Sequence, residues 1–175
     1  MANITLRIAT PADAEQIRTI YNHEVMQTTA TFDLVPRSLA DQLQWQSTRS
    51  GAFATIVAID HDAGERDERD RGDVVGFGAL SPYKDRAAYR TSVENSVYVR
   101  RDRHGRGIGR LLLEELLTVA ENSGFHAVFA RINADSEASV TLHQRCGYEL
   151  VGVEREVGRK FNRWHDVALM ERLLG

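Results

Sequence analysis

At 175 residues, with 42% hydrophobic and 27% charged side chains, the chain is long enough to bury a sizeable core and too apolar to stay disordered. Its 22 lysines and arginines against 25 aspartates and glutamates leave a net charge of −3, which argues against a general nucleic-acid binder, a class that is usually strongly basic. No apolar run approaches a membrane span, Met1-Ala2-Asn3-Ile4-Thr5 lacks a signal-peptide pattern, and Cys146 is the lone cysteine, so a cytoplasmic protein without internal disulfide or membrane partner is expected.

Residues Thr5 to Ile8 alternate as a short strand, and Thr10-Pro11-Ala12-Asp13 marks a helix start. Thr10 can cap, Pro11 suits the first helical position, and Asp13 lies near the positive end of the dipole. Ala14, Ile17, Ile20, Tyr21 and Val25 then share one helical face. From His23 through Phe32 the period is lost, up to Pro36. Ser38 and Asp41 form a second capping pair, opening a helix that carries Leu39, Leu43 and Trp45. Phe53 to Ile59 and Val74 to Leu80 read as two largely buried strands of an antiparallel hairpin. The segment 60–73 between them is highly charged without an apolar face, a solvated hairpin loop; Asp60, Asp62 and Asp73 lack the spacing of a calcium loop, and no metal site is expected.

The stretch Ser81 to Ser92 is polar, basic and aromatic. Lys84, Arg86 and Tyr89 could together hold a small anionic molecule, since a guanidinium grips a carboxylate with two parallel hydrogen bonds. Directly after it come a strand, Val93 to Val99, a glycine-rich basic run, Arg100 to Arg110, and an apolar-faced helix, Leu111 to Ala120, stopped by Gly124. Glycines let a backbone approach a ligand, and a helix start offers unpaired N–H groups and a positive dipole end, so this order binds an anion, most often a phosphate. It is neither a dinucleotide fingerprint nor a P-loop. Gly105, Gly107 and Gly109 stand at alternate positions, with Arg103, Arg106 and Arg110 around them.

This run resembles the acetyl-CoA pyrophosphate loop of the GCN5-related N-acetyltransferases (GNAT), where Gln or Arg and two further residues precede Gly-x-Gly; here the leading position is His104. The resemblance implies that Gly105, Arg106, Gly107, Ile108, Gly109 and Arg110 hold the pyrophosphate of acetyl-CoA. Tyr-Lys-x-Arg-x-Ala-Tyr over 83–89, Val-Glu-x-Ser-Val-Tyr-Val over 93–99 and the run Gly158 to Val167 resemble one branch, the phosphinothricin and methionine sulfoximine or sulfone N-acetyltransferases. That likeness extends over nearly the whole chain and implies one α/β domain over residues 1–175: a mixed, mostly antiparallel sheet splayed at two central parallel strands, with helices on both faces. It also implies a homodimer.

Chemistry points to Glu94. An amine must shed a proton before it attacks a thioester, and a carboxylate in an otherwise apolar strand can accept it, directly or through water; the branch proposes a glutamate here as general base. His126 to Ile132 forms a strand parallel to Val93–Val99 across the helix. In the family the pantetheine arm pairs with the first strand, which maps to Val97, Tyr98 and Val99. The helix Ser136 to Arg145 matches the family at Ser139, Leu142 and His143, followed by Gly147 and Tyr148. Ser136 takes the place of an expected coenzyme-contacting asparagine, and His143 that of a tyrosine that could protonate the leaving thiolate. Tyr148 to Val153 and Trp164 to Leu173 close the domain as a hairpin-like pair, with His165 placed by the resemblance near the acceptor pocket beside Lys84, Arg86 and Tyr89. The expected acceptor is a small amino-acid analogue. An acetyltransferase for another amine (a polyamine, an antibiotic or a protein N-terminus) and a non-catalytic acyl-CoA sensor remain the alternatives.

Overall fold

The computed structural model describes residues 3–62 and 72–175. Residues 63–71 of the expected charged hairpin loop lie outside the described residues. In chain order the described elements are β1 (Ile4–Ile8), α1 (Ala14–Gln27), α2 (Leu39–Ser47), β2 (Ile56–Asp60), β3 (Asp73–Pro82), β4 (Ser92–Val99), α3 (Ile108–Asn122), β5 (Ala127–Asn133), α4 (Glu137–Arg145), β6 (Glu149–Lys160) and β7 (Arg163–Leu173). They build the expected α/β fold. The seven strands form one sheet in the order β1-β2-β3-β4-β5-β7-β6, antiparallel throughout except for the parallel pair β4–β5.

Every residue of β2 is buried, so alternation must feed two cores. Ile56 and Ala58 join the α3 face with Leu112, Leu113 and Leu116, while Val57 and Ile59 join the α1 face with Ile17, Ile20 and Tyr21. Gly76 and Gly78 let α3 sit down on the sheet. A methyl group on Gly76 would stand 3.1 Å from Leu112 and 3.0 Å from the Tyr98 carbonyl oxygen, and one on Gly78 would stand 2.9 Å from Leu116.

Two elements run longer than their sequence pattern. Helix α1 continues through His23 to Gln27, because Glu24 on its buried side is neutralised by Arg101, whose Nε donates to the carboxylate at 3.0 Å. Strand β6 continues past Val153 to Lys160. It passes a bulge at Glu156 (φ 51°), whose N–H donates to Asp166, and turns at Phe161-Asn162, both left-handed, the backbone a two-residue hairpin turn requires. The Ser38–Asp41 capping box forms as expected, though the buried residue of α2 is Gln42 rather than an apolar one.

Candidate active site

The site starts where β4 and β5 part. Their pairing spans only Ser92, Val93 and Glu94 against Ala127, Val128 and Phe129, whereas β4 stays paired with β3 through Val99 and β5 with β7 through Asn133. From Asn95 onward the other edge of β4 has no strand partner among the described residues; the alternation of the strand turns the main-chain groups of Val97 and Val99 toward it, whereas those of Tyr98, expected to share that edge, turn to Phe77 of β3. A polar strut holds the fork on its α4 side. Asn95 is buried, accepts from the Tyr148 hydroxyl at 2.9 Å and lies 3.0 Å from Nε2 of His143, whose Nδ1 is 2.8 Å from the Ser139 carbonyl oxygen. Burial pushes the His143 pKa down, only partly offset by the Ser139 carbonyl.

Glu94 occupies the last paired position and faces the other way, toward the α1 side. Its side chain is 30% exposed, with Arg131 Nε of β5 3.9 Å away. Burial raises its pKa above the ordinary carboxylate value; Arg131 works against this and Glu154 adds to it. A carboxylate in that condition takes up a proton more readily than a solvated one.

At the far end of β4 the basic run folds into a 3-10 turn and then the start of α3. Gly105 (φ 76°) and Gly107 (φ 81°) adopt the left-handed region, and a Cβ at either would meet nothing within 4 Å, so the surface above the loop is open. A Cβ on Gly109 would instead stand 3.2 Å from Leu142 across to α4, leaving little room for a side chain. The N–H groups of Ile108, Gly109 and Arg110 are first-turn donors with no intrahelical acceptor. His104 Nε2 reaches the Val99 carbonyl oxygen at 2.9 Å and ties the loop back to β4. The arginines divide. Arg103 is drawn to Asp60 and Asp102, a departure from its expected place around the anion, and Arg110 pairs with Glu114, while Arg106 has no ion pair among the described residues.

On the α1 side two cavities open beside the end of β3. The larger, ≈ 600 Å³, is lined by Lys84, Arg86 and Tyr89 together with Pro82, Tyr83 and one carboxylate, Asp85. Tyr83 stacks on Phe129 of β5 with ring centres 4.0 Å apart, and Lys84 Nζ lies 4.7 Å from the Tyr83 ring centre. The smaller, ≈ 130 Å³, is lined by Arg37, Trp45, Arg49, Ser81, Ser96 and Tyr98 among others. Sequence reasoning missed Arg37 and Arg49. They belong to no motif, and only the fold brings them to β3 and β4.

A family model described as an acetyltransferase (GNAT) domain matches residues 6–169. The chain belongs to the GNAT acetyltransferase family. It is 37% identical over 175 residues to a phosphinothricin N-acetyltransferase of Streptomyces coelicolor, covering 99% of this chain and 98% of that one. It is 36% identical over 167 residues to an L-methionine sulfoximine/L-methionine sulfone acetyltransferase of Pseudomonas aeruginosa, with 95% and 92% covered. Its structure is similar, with a TM-score of 0.88 and 37% identity over 98% of this chain and 89% of the other, to a GNAT superfamily phosphinothricin acetyltransferase of Sinorhizobium meliloti solved in complex with acetyl-CoA.

In this N-acetyltransferase the glycine loop fits a pyrophosphate by its own geometry: open space above left-handed glycines, first-turn N–H groups with no intrahelical acceptor and, among the described residues, an Arg106 without an ion pair. Ser136 stands at the N-terminus of α4, half-buried, its N–H donating to the Asn133 carbonyl oxygen at 2.8 Å. His143 lines neither cavity, and both its ring nitrogens are engaged, so giving a proton to a thiolate would require breaking one of those contacts. His165 is buried as well. Its Nε2 is 3.1 Å from the Lys160 carbonyl oxygen and its ring 5.9 Å from Phe32, so it braces the β6–β7 turn against the segment between α1 and α2. Among the described residues no cluster of His, Cys, Asp or Glu has the grouping to hold a metal ion, and no helix is long and apolar enough to cross a membrane.

Proposed function

We propose that this acetyltransferase moves the acetyl group of acetyl-CoA directly onto the α-amine of a small amino-acid analogue of the phosphinothricin, methionine sulfoximine or methionine sulfone type. The observation that carries the reading is Glu94 at the last paired residue of the β4–β5 fork, raised in pKa, opposite Ser81 and two residues from Ser96, both of which line the smaller cavity. Acetyl-CoA supplies the activated thioester. Glu94 takes the proton from the acceptor ammonium, directly or through one water, so that the neutral amine can attack. The open edge at Val97 and Val99, on either side of Tyr98, offers main-chain hydrogen bonds to an extended amide-bearing arm, and an N–H group there can stabilise developing negative charge. Gly105 to Arg110 hold the pyrophosphate, with Ser136 near the start of α4 as a further coenzyme contact. Lys84, Arg86 and Tyr89 face the acceptor. His143, neutral and buried, holds Asn95 behind the fork, and His165 shapes the acceptor side through Phe32.

The reading extends to a single acetyltransferase domain over residues 1–175, a cytoplasmic setting, consistent with the lone, buried Cys146, and a homodimer. Dimer formation is supported by the edge strand β6 and its turn, which leave Leu150, Val151, Val153, Val157 and Phe161 exposed in one stretch, more apolar edge than a monomer usually tolerates. The test is thiol release from acetyl-CoA with phosphinothricin, methionine sulfoximine, methionine sulfone, methionine, spermidine and a peptide N-terminus. The first three should be preferred by at least ~10-fold in kcat/KM, the size of one lost polar contact. Activity confined to spermidine or the peptide would overturn the acceptor, and no turnover on any amine would favour a coenzyme sensor.

A further inference from the structure

The smaller cavity holds two guanidiniums and, among the described residues, no carboxylate within ion-pair distance of either. Both are fixed in place. Arg37 lies 3.8 Å from the Tyr21 ring centre and 4.8 Å from that of Trp45, and its Nη1 donates to Gln42, which is wholly buried. Asn22 clamps the Arg37 main chain, accepting from its N–H and donating to its carbonyl oxygen, each at 2.8 Å. Arg49 lies 4.1 Å from the Trp45 ring centre and donates to the Leu80 carbonyl oxygen at 2.7 Å and the Ser81 hydroxyl at 2.9 Å. Burial, and then the nearby Arg37, push the Arg49 pKa down. Two like charges held side by side in a half-buried cavity destabilise the empty protein and favour an anion or a strong acceptor between them.

We infer that this cavity is the subsite for the tetrahedral oxo group of the acceptor's side chain, a phosphinate, sulfone or sulfoximine, and that Arg37 and Arg49 determine specificity for it. The inference rests on the function proposed above and adds the residues that read the side chain. Ser81, in the cavity wall, is the cross-strand partner of Glu94, and Ser96 lies two residues along β4 on the same face. Such neighbours are about 5 Å and about 6.6 Å apart, so a group seated here leaves the amine of a short amino acid beside Glu94. Donors converge from two sides, arginines from the helical layer and serine hydroxyls from the strands. A carboxylate ends its carbon chain with two oxygens that one guanidinium fork can hold, whereas a phosphinate, sulfone or sulfoximine projects its two polar atoms to either side of a tetrahedral centre, one toward each arginine. The open cavity at Lys84 and Arg86 is then left to the α-carboxylate.

The chain has two tryptophans, and Trp45 touches both arginines, so in a Trp164→Phe background its fluorescence reports occupancy without catalysis. Dimethylphosphinate should shift the emission saturably, and acetate should bind at least ~10-fold more weakly. Arg37→Met and Arg49→Met should each weaken dimethylphosphinate by ~10-fold or more, the size of a charged hydrogen bond. Ala79→Val, which narrows the cavity while keeping both arginines, should do the same and guards against an arginine variant that fails to fold. In turnover, KM for phosphinothricin should rise by a similar factor, with KM for acetyl-CoA and the constants for glutamate little changed. Acetate binding as tightly as dimethylphosphinate, or parental affinity in all three variants, would overturn the subsite. Dimethylphosphinate binding that depends on the arginines, in a protein that acetylates no amino acid, would instead refute the proposed function and leave the subsite standing.

Discussion

His143 shows what one buried side chain can hold together. Its two ring nitrogens reach Asn95 on β4 and the Ser139 carbonyl within α4, so the imidazole links the helix to the first residue beyond the β4–β5 pairing. Burial lowers its pKa below the free value of ~6.5. The unfolded chain therefore binds the proton first as pH falls, so stability drops from about pH 6.5 downward through the folded pKa. His143→Gln keeps one hydrogen-bonding group and removes that titration. Thermal melts between pH 7.5 and 5 should show a smaller acid-side loss in the variant, and parallel losses in the two proteins would refute a neutral, buried His143. The Glu24–Arg101 pair illustrates why some residues were illegible in sequence. A glutamate on an apolar helical face breaks the period until its partner, 77 positions away, is brought beside it. Arg37 and Arg49 were hidden for the same reason, since nothing local distinguishes them.

Among elements, those with local signals were the legible ones. The strand, glycine loop and helix from Val93 to Gly124 appear as read, as does the Ser38 capping box, because turn glycines and caps act within a few residues. The length of β6 was not legible. It depends on a bulge at Glu156 and a left-handed Phe161, a backbone that a bulky residue adopts only when the surrounding sheet imposes it. Gly76 and Gly78 read only as part of a buried strand; the structure gives their reason, the seating of α3. Gly78→Val should cost ~1–3 kcal/mol through overpacking against Leu116, seen as a fall of several degrees in Tm. An unchanged Tm would mean that α3 can shift away from the sheet at little cost.

At the scale of the whole molecule, the sheet is one continuous surface whose two faces carry different tasks. The α3 and α4 side presents the glycine loop, the α1 and α2 side presents the cationic cavities, and the fork in the middle is where the two can meet. The remaining apolar edge, β6, is the surface for the proposed second copy. Light scattering should give a dimer, and Val153→Lys together with Val157→Lys should shift it toward monomer. A parent that is monomeric at every concentration would contradict the homodimer. The central claim, that Glu94 accepts the acceptor's proton, is tested most directly by the pH dependence of kcat/KM for thiol release with phosphinothricin. The parent should show an acidic limb above the ordinary glutamate value of ~4.3, with activity rising as Glu94 ionises. Glu94→Gln should lose that limb and ~100-fold or more in rate at neutral pH, with KM for acetyl-CoA retained. A variant that keeps both the rate and the limb would remove Glu94 from the reaction.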